Sequence, residues 1–230
     1  MKKKLIVLTG AGMSAESGLK TFRDSDGLWM DYKIEDVATP EAFQKNPKLV
    51  LDFYNMRRRD VASAIPNLAH TALAKLEDDF DVHIITQNID DLHERGGSTN
   101  VLHLHGEIFK MRSSTNAEII REIKGDIQLG ELAPDGGQWR PHIVWFGEQV
   151  PNIEFAGKIM QTADVFLLVG SSLQVYPAAG LIGAVPKYAP KFIIDKSIPL
   201  HLPAPNLHFI EKPATEGIIE FEKQLSALKF

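Results

Sequence analysis

The chain has 230 residues, enough for one full hydrophobic core with a modest insertion. A net charge of -5 offers no basic face to nucleic acid, and 44% apolar with 24% charged residues is the balance of a globular protein. There is no cysteine, which excludes disulfides, a thiol nucleophile and thiolate metal sites, so no bound metal is expected.

Lys2-Lys3-Lys4 ahead of Leu5-Ile6-Val7-Leu8 has the charged start of a signal peptide. The apolar run is too short for one, and it ends in a glycine turn rather than a cleavage site. No window approaches a membrane span, so a soluble, cytoplasmic protein is expected. It is expected to be a monomer or weak oligomer. The run 5–8 reads as a buried parallel strand closed by Thr9-Gly10-Ala11-Gly12, with Ser14 capping a short helix. Further runs at 82–86, 101–104, 165–169 and 192–194 read as strands. Helical patterns lie at 71–76, 155–162 and 217–228. This alternation predicts an α/β fold: a doubly wound, parallel-sheet, Rossmann-type domain. Two stretches break the rhythm. Residues 34–76 show helical patterns, with Thr39-Pro40-Glu41 as a proline-led start, and residues 109–141 are polar and turn-rich with a helical run at 117–123. Both are expected to form a small inserted module, leaving 1–33, 77–108 and 142–230 as the sheet domain.

Gly10 to Gly18 follows a strand and opens a helix, a place where glycines let backbone approach a pyrophosphate. The spacing is not the usual G-x-G-x-x-G, so an ordinary strand–helix turn fits as well. Phe22 and Arg23 come next, able to cover a ring and bind phosphate, or to fill core and pair locally. Gln87-Asn88-Ile89-Asp90 lies where a parallel strand ends, the edge at which ligands bind in open sheets, although Asn and Asp also favour turns for local reasons. His103 and His105 share one face of the next strand. His105, at the strand's end against Gly106, is the better placed general base. His103 reads as a core histidine, and His70, His83, His93 and His142 as structural or surface.

Together these residues resemble the sirtuin (Sir2) family of NAD-dependent protein deacylases. The matching pieces are Gly10 to Gly18, Thr21-Phe22-Arg23, Gln87-Asn88-Ile89-Asp90, His105-Gly106-Glu107, Val144-Trp145-Phe146-Gly147-Glu148 and the segment from Gly170-Ser171-Ser172 to Ala179, in the family's order. The resemblance implies an NAD site made of Gly10, Ala11, Gly12, Ser14, Glu16, Phe22, Arg23, Gln87, Asn88, Ile89, Asp90, Gly170, Ser171, Ser172, Asp195 and Thr215. It implies that His105 activates a ribose hydroxyl, with Asn88 and Asp90 at the reacting centre, and that acyl-lysine proteins or peptides are the substrates. Val144, Phe146 and Gly147 would form the acyl-lysine tunnel and a strand edge that pairs with substrate.

Tyr54 and Arg57, three apart on a helix, look like the Tyr-x-x-Arg pair of sirtuins that remove malonyl, succinyl or glutaryl groups. Without the family context, Arg57-Arg58-Arg59 would read as a solvated basic face. Two features depart from the family. The interval 108–145 lacks the usual two cysteine pairs for structural zinc, with Ser113 near the first ligand position, and Asp195 stands where asparagine is common. An NAD glycohydrolase or ADP-ribosyltransferase, or a silent NAD-binding protein, are the competing expectations.

Overall fold

The structure, a computed structural model, describes residues 2–20, 28–29, 32–197 and 205–228. Its strands are β1 (Lys4–Thr9), two short strands β2 (Leu28–Trp29) and β3 (Tyr32–Lys33), β4 (Asp81–Thr86), β5 (Val101–His103), β6 (Gly106–Ser113), β7 (Ile120–Glu122), β8 (Trp139–Ile143), β9 (Val165–Val169), β10 (Lys191–Asp195) and β11 (Leu207–Glu211). The helices are α1 (Gly12–Ala15), α2 (Ile34–Val37), α3 (Pro40–Lys45), α4 (Pro47–Ser63), α5 (Leu68–Lys75), α6 (Leu92–Arg95), α7 (Ile153–Met160) and α8 (Ala214–Ser226). None is long and apolar enough to cross a membrane.

Six strands form one parallel sheet in the order β11-β10-β9-β1-β4-β5. Both faces of β1 are covered, which is why its sequence reads as an unbroken apolar run. Leu5 and Val7 join a core with Leu73 of α5 and Ile218 and Phe221 of α8, while Ile6 and Leu8 join one with Met160 of α7 and Leu181. Each such buried side chain contributes about 1.5–3 kcal/mol of transfer free energy. The chain runs outward from β1 to β4 and β5, then returns to β9 on the other side. The strand order therefore reverses between β1 and β9, the crevice where open α/β sheets bind ligands.

The small sheet β7-β6-β8 is antiparallel and packs on α4. Leu51 of α4 meets Met111, Ile127, Ala133 and Trp139, while Val50, Phe53 and Tyr54 meet Ile108, Ile143 and Trp145. The entries to these helices are written in sequence. The Thr39 hydroxyl accepts from the Ala42 N–H at 3.0 Å ahead of Pro40, and the Asn46 side chain accepts from Leu49 ahead of Pro47.

Several expectations are corrected. Residues 117–123 are not helical: Asn116 closes a turn onto Glu118 and Ile119, and 120–122 pair with β6 as β7. α5, expected in the inserted module, instead places Ala69, Ala72 and Leu73 in the core under β1 and β4. β11 was not predicted because it is an edge strand whose only fully buried residue is Ile210. Ser14 lies inside α1 and not at its N-cap, which is Ala11. Finally, 144–148 is a turn beyond β8 rather than a strand.

Candidate active site

The glycines at the switch point serve the packing of two loops. A Cβ on Gly12 would lie 2.7 Å from the Gly170 Cα, and one on Gly170, where φ is +63°, would lie 2.3 Å from the Met13 nitrogen. The turn after β1 therefore sits directly on the turn after β9, with the Gly12 N–H donating to the Gly170 carbonyl at 2.9 Å. Beside them opens a cavity of about 690 Å³. Gly10, Ala11, Gly12, Ser14, Gly170, Ser171, Ser172 and Asp195 line it, together with Gln87, Asn88, Ile89, Asp90 and His105. Tyr54, Arg57, Val144, Phe146 and Gly147 line it as well.

Gln87 to Asp90 follow directly on the end of β4. Asn88 is buried, and its side-chain amide donates to the Gly10 carbonyl and the Ser14 hydroxyl, each at 3.1 Å. Both amide protons are thereby used inward, leaving Oδ1 as the group Asn88 can offer a ligand. Its backbone N–H donates to the Thr86 hydroxyl, which also accepts from the Thr9 hydroxyl at 2.8 Å. The Gln87 side chain donates to the Ser171 hydroxyl at 3.0 Å, tying β4 to the β9 turn. Asp90 is 5% exposed, and burial raises its pKa against the Leu92 N–H and Ser14 hydroxyl that favour the carboxylate.

His105 sits one residue before Gly106, whose φ is +81° and where a Cβ would lie 2.1 Å from the His142 carbonyl. The chain can turn there only with glycine, and the turn leaves His105 at the cavity wall. Its Nδ1 lies 2.9 Å from the Gln87 carbonyl oxygen. A carbonyl only accepts, so Nδ1 carries the proton and Nε2 is the basic nitrogen. Burial lowers the His105 pKa, partly offset by this hydrogen bond, so the ring is neutral and basic near pH 7. The His105 carbonyl in turn accepts from the Val144 N–H at 2.9 Å, and the Phe146 N–H donates to Ala38.

That turn is braced by a residue the sequence reading did not single out as a site residue. The Glu148 carboxylate accepts from Arg140 at 2.6 Å, Arg112 at 3.0 Å and the Trp145 N–H at 2.8 Å. Burial pushes its pKa up, but the Arg140 hydrogen bond and charge prevail and hold it below the ordinary value. Arg140 also lies over the Trp145 ring.

Of the arginine run only Arg59 faces solvent. Arg57 is 6% exposed and lines the cavity with Tyr54, one helical turn away. Burial lowers the Arg57 pKa, opposed by Asp60 and Asp90, and raises that of Tyr54. Arg58 is buried in the other direction, donating to the Ile108 carbonyl and Asn55, while Arg59 pairs with Asp126. Lys20, Lys196 and Lys212 also line the cavity, and no motif marked them.

Two expected residues stand apart. Glu16 and Thr215 are bonded to each other, the carboxylate accepting from the Thr215 N–H at 2.9 Å and hydroxyl at 2.8 Å, and neither lines the cavity. Glu16 thus ties the β1 turn to the start of α8. Phe22 and Arg23 lie outside the described residues. Near Ser113, the Asp135 carboxylate accepts from the Ser113 hydroxyl at 2.8 Å and the Thr115 hydroxyl at 2.7 Å.

Comparison with known proteins agrees with this geometry. The family model described as "Sir2 family" matches residues 10–177. A protein of Bacteroides thetaiotaomicron named NAD-dependent protein deacylase is 50% identical over 97% of this chain and 98% of its own length. A Helicobacter pylori protein of the same name is 48% identical over 97% of each chain. Among solved structures, a Sir2 homologue in complex with NAD superposes with a TM-score of 0.85 at 37% identity, over 98% of this chain and 90% of that one. On these matches, the chain belongs to the Sir2 family.

Proposed function

We infer that the protein is an NAD-dependent protein deacylase: it frees lysine side chains of proteins or peptides from acyl groups, releasing nicotinamide and O-acyl-ADP-ribose. The observation that carries this reading is one cavity, at the switch point of the sheet, that joins a close-packed glycine floor, a histidine of fixed tautomer and the Tyr54/Arg57 pair. Relatives named NAD-dependent protein deacylase at about half identity over nearly full length support it.

The residues present fit a dinucleotide. Gly10, Ala11 and Gly12 bring backbone to the cavity wall where a pyrophosphate can approach, Ser171 and Ser172 offer hydroxyls, and Asp195 ends β10 where it can accept from a ribose hydroxyl. Asn88 Oδ1 and buried Asp90 suit a carboxamide and ribose at the other end. Bound NAD would supply a ribose carbon open to attack once nicotinamide departs, and a hydroxyl to take up the acyl group. His105 Nε2 withdraws the proton from that hydroxyl, while Nδ1–H keeps the ring aligned on Gln87. Val144, Phe146 and Gly147 wall the lysine chain from water and present a backbone edge to the substrate peptide.

The chemistry at the end of that channel selects the acyl group. A phenol and a guanidinium held together out of water form a receptor for a carboxylate, so succinyl and malonyl groups are preferred substrates, with acetyl also accepted. The test is nicotinamide release with NAD and acyl-lysine peptide together against NAD alone. A deacylase releases nicotinamide in step with freed lysine. Release at the same rate without peptide would make the protein a glycohydrolase, and no release in either case a silent NAD-binding protein.

A further inference from the structure

Four successive carbonyls at the end of β4 are all held by one neighbouring segment. Thr86 accepts from the Leu104 N–H at 2.9 Å, Gln87 from His105 Nδ1, and Ile89 from the Ile108 N–H at 2.8 Å. The fourth, Asn88, accepts from His103 Nδ1 at 3.1 Å. Three of these donors carry a proton: two are amides, and among the described residues His105 has no second claimant on its ring. His103 does have one. Its Nε2 lies 2.8 Å from a Glu94 carboxylate oxygen, so a carbonyl and a carboxylate, both acceptors, face the two nitrogens of one ring.

Only the imidazolium satisfies both. A neutral imidazole has one proton for two acceptors, and the charged carboxylate is the stronger claimant. We propose that Glu94 and His103 are a positioning pair for the deacylation reaction, in which protonated His103 holds the Asn88 carbonyl and releases it when the ring loses a proton to solvent. This rests on the reading that Asn88 serves the nicotinamide end of the cavity.

The surroundings favour the imidazolium. Burial alone would lower the His103 pKa, but the Glu94 hydrogen bond and charge, with Glu107 on β6 and the Asn88 carbonyl, raise it above the ordinary value. Asp90, beyond β4, also interacts electrostatically with His103, which opposes the rise that burial imposes on the Asp90 pKa. His93 on α6 also faces His103, but burial holds it neutral. Lys110 is occupied by Glu107, and the Asn152 amide fixes the His103 backbone by donating to its carbonyl at 3.2 Å. The two histidines of β5 and its turn therefore act in opposite protonation states: His105 works neutral and His103 works charged. Activity should climb as His105 loses its proton and decline as His103 loses its own.

The experiment is the pH dependence of kcat and of kcat/KM for NAD, from about pH 5.5 to about pH 9, for the wild type, Glu94→Gln, His103→Leu and Asn88→Ala. Glutamine at 94 can donate to His103 Nε2, which forces the neutral ring to keep its proton on Nδ1 toward Asn88. Glu94→Gln should therefore lose the descending limb while retaining the ascending one, with less than about a three-fold fall in kcat at neutral pH. His103→Leu should lower kcat/KM for NAD about ten-fold or more, since the Asn88 carbonyl is left unheld. A descending limb unchanged in Glu94→Gln overturns the proposal, even if His103→Leu fails to fold. If Asn88→Ala keeps wild-type kcat/KM, the reading of Asn88 fails and the positioning role with it. If Asn88→Ala collapses while the other two variants behave as wild type, the pair alone is refuted.

Discussion

His105 Nδ1 donates to the carbonyl of Gln87, 18 residues earlier in the chain, at 2.9 Å. That bond selects the tautomer, so the base at the cavity is Nε2 and its protonation is what titrates. Burial lowers its pKa below the ordinary 6.5, which places the ascending limb of kcat on the acid side of that value. A steady-state pH profile should show it, and His105→Ala should reduce kcat by about 10²–10⁴ without displacing bound NAD. Retained activity in His105→Ala would assign the base elsewhere.

The Ser113–Asp135–Thr115 cluster closes the loop between β6 and β8 without any thiolate. Asp135 takes both hydroxyls and the Gly137 N–H at 3.1 Å, so one carboxylate ties three points of the β6–β8 connection. Ser113 is 2% exposed, and Ser113→Ala should cost about 1 kcal/mol, lowering Tm by about 2–4 °C. Chelators should leave Tm unchanged. A chelator-induced drop in Tm would show a metal holding this loop.

His70 is buried in the first turn of α5, where its Nδ1 accepts from the Asn67 N–H and completes a capping box. Burial first, and the nearby Arg95 charge second, lower its pKa to about 4 from 6.5. The folded state thus resists a proton that the unfolded chain accepts. The contribution is fully present above pH 6.5 and is lost as pH falls through about 4. Its size is on the order of 3 kcal/mol. Urea unfolding should lose stability over that window, and His70→Gln should flatten the slope. An unchanged slope would place the acid sensitivity in other groups.

The parallel sheet was legible because five of its six strands read as apolar runs ended by turn residues: β1, β4, β9 and β10 are buried between helices, and the half-buried edge strand β5 still carries Val101 and Leu102. β11 was not, since an edge strand exposing His208, Phe209 and Glu211 lacks that run. The cavity residues at strand ends, from Gly10 to Gly12, Gln87 to Asp90 and His105, could be read because topology alone puts them together. Glu148 could not, since its partners Arg112 and Arg140 meet it only through the antiparallel pairing of β6 with β8. His103 was read as a core histidine for the same reason: its partner Glu94 lies on α6, and no spacing signals the contact. Glu16 and Thr215 were assigned to the dinucleotide site by resemblance; that they bind each other across 199 positions of sequence is signalled by no spacing.

The most direct test of the whole account is a side-by-side turnover of succinyl-lysine and acetyl-lysine peptides with NAD by wild type and Arg57→Met, with both products followed by mass. The wild type should free one lysine for each O-succinyl-ADP-ribose formed. Arg57→Met should lose about ten-fold or more in succinyl kcat/KM, the worth of a charge-assisted carboxylate bond, with acetyl turnover changed far less. Equal losses on the two peptides would contradict the carboxylate receptor. Freed lysine without O-acyl-ADP-ribose would contradict acyl transfer to the NAD-derived ribose.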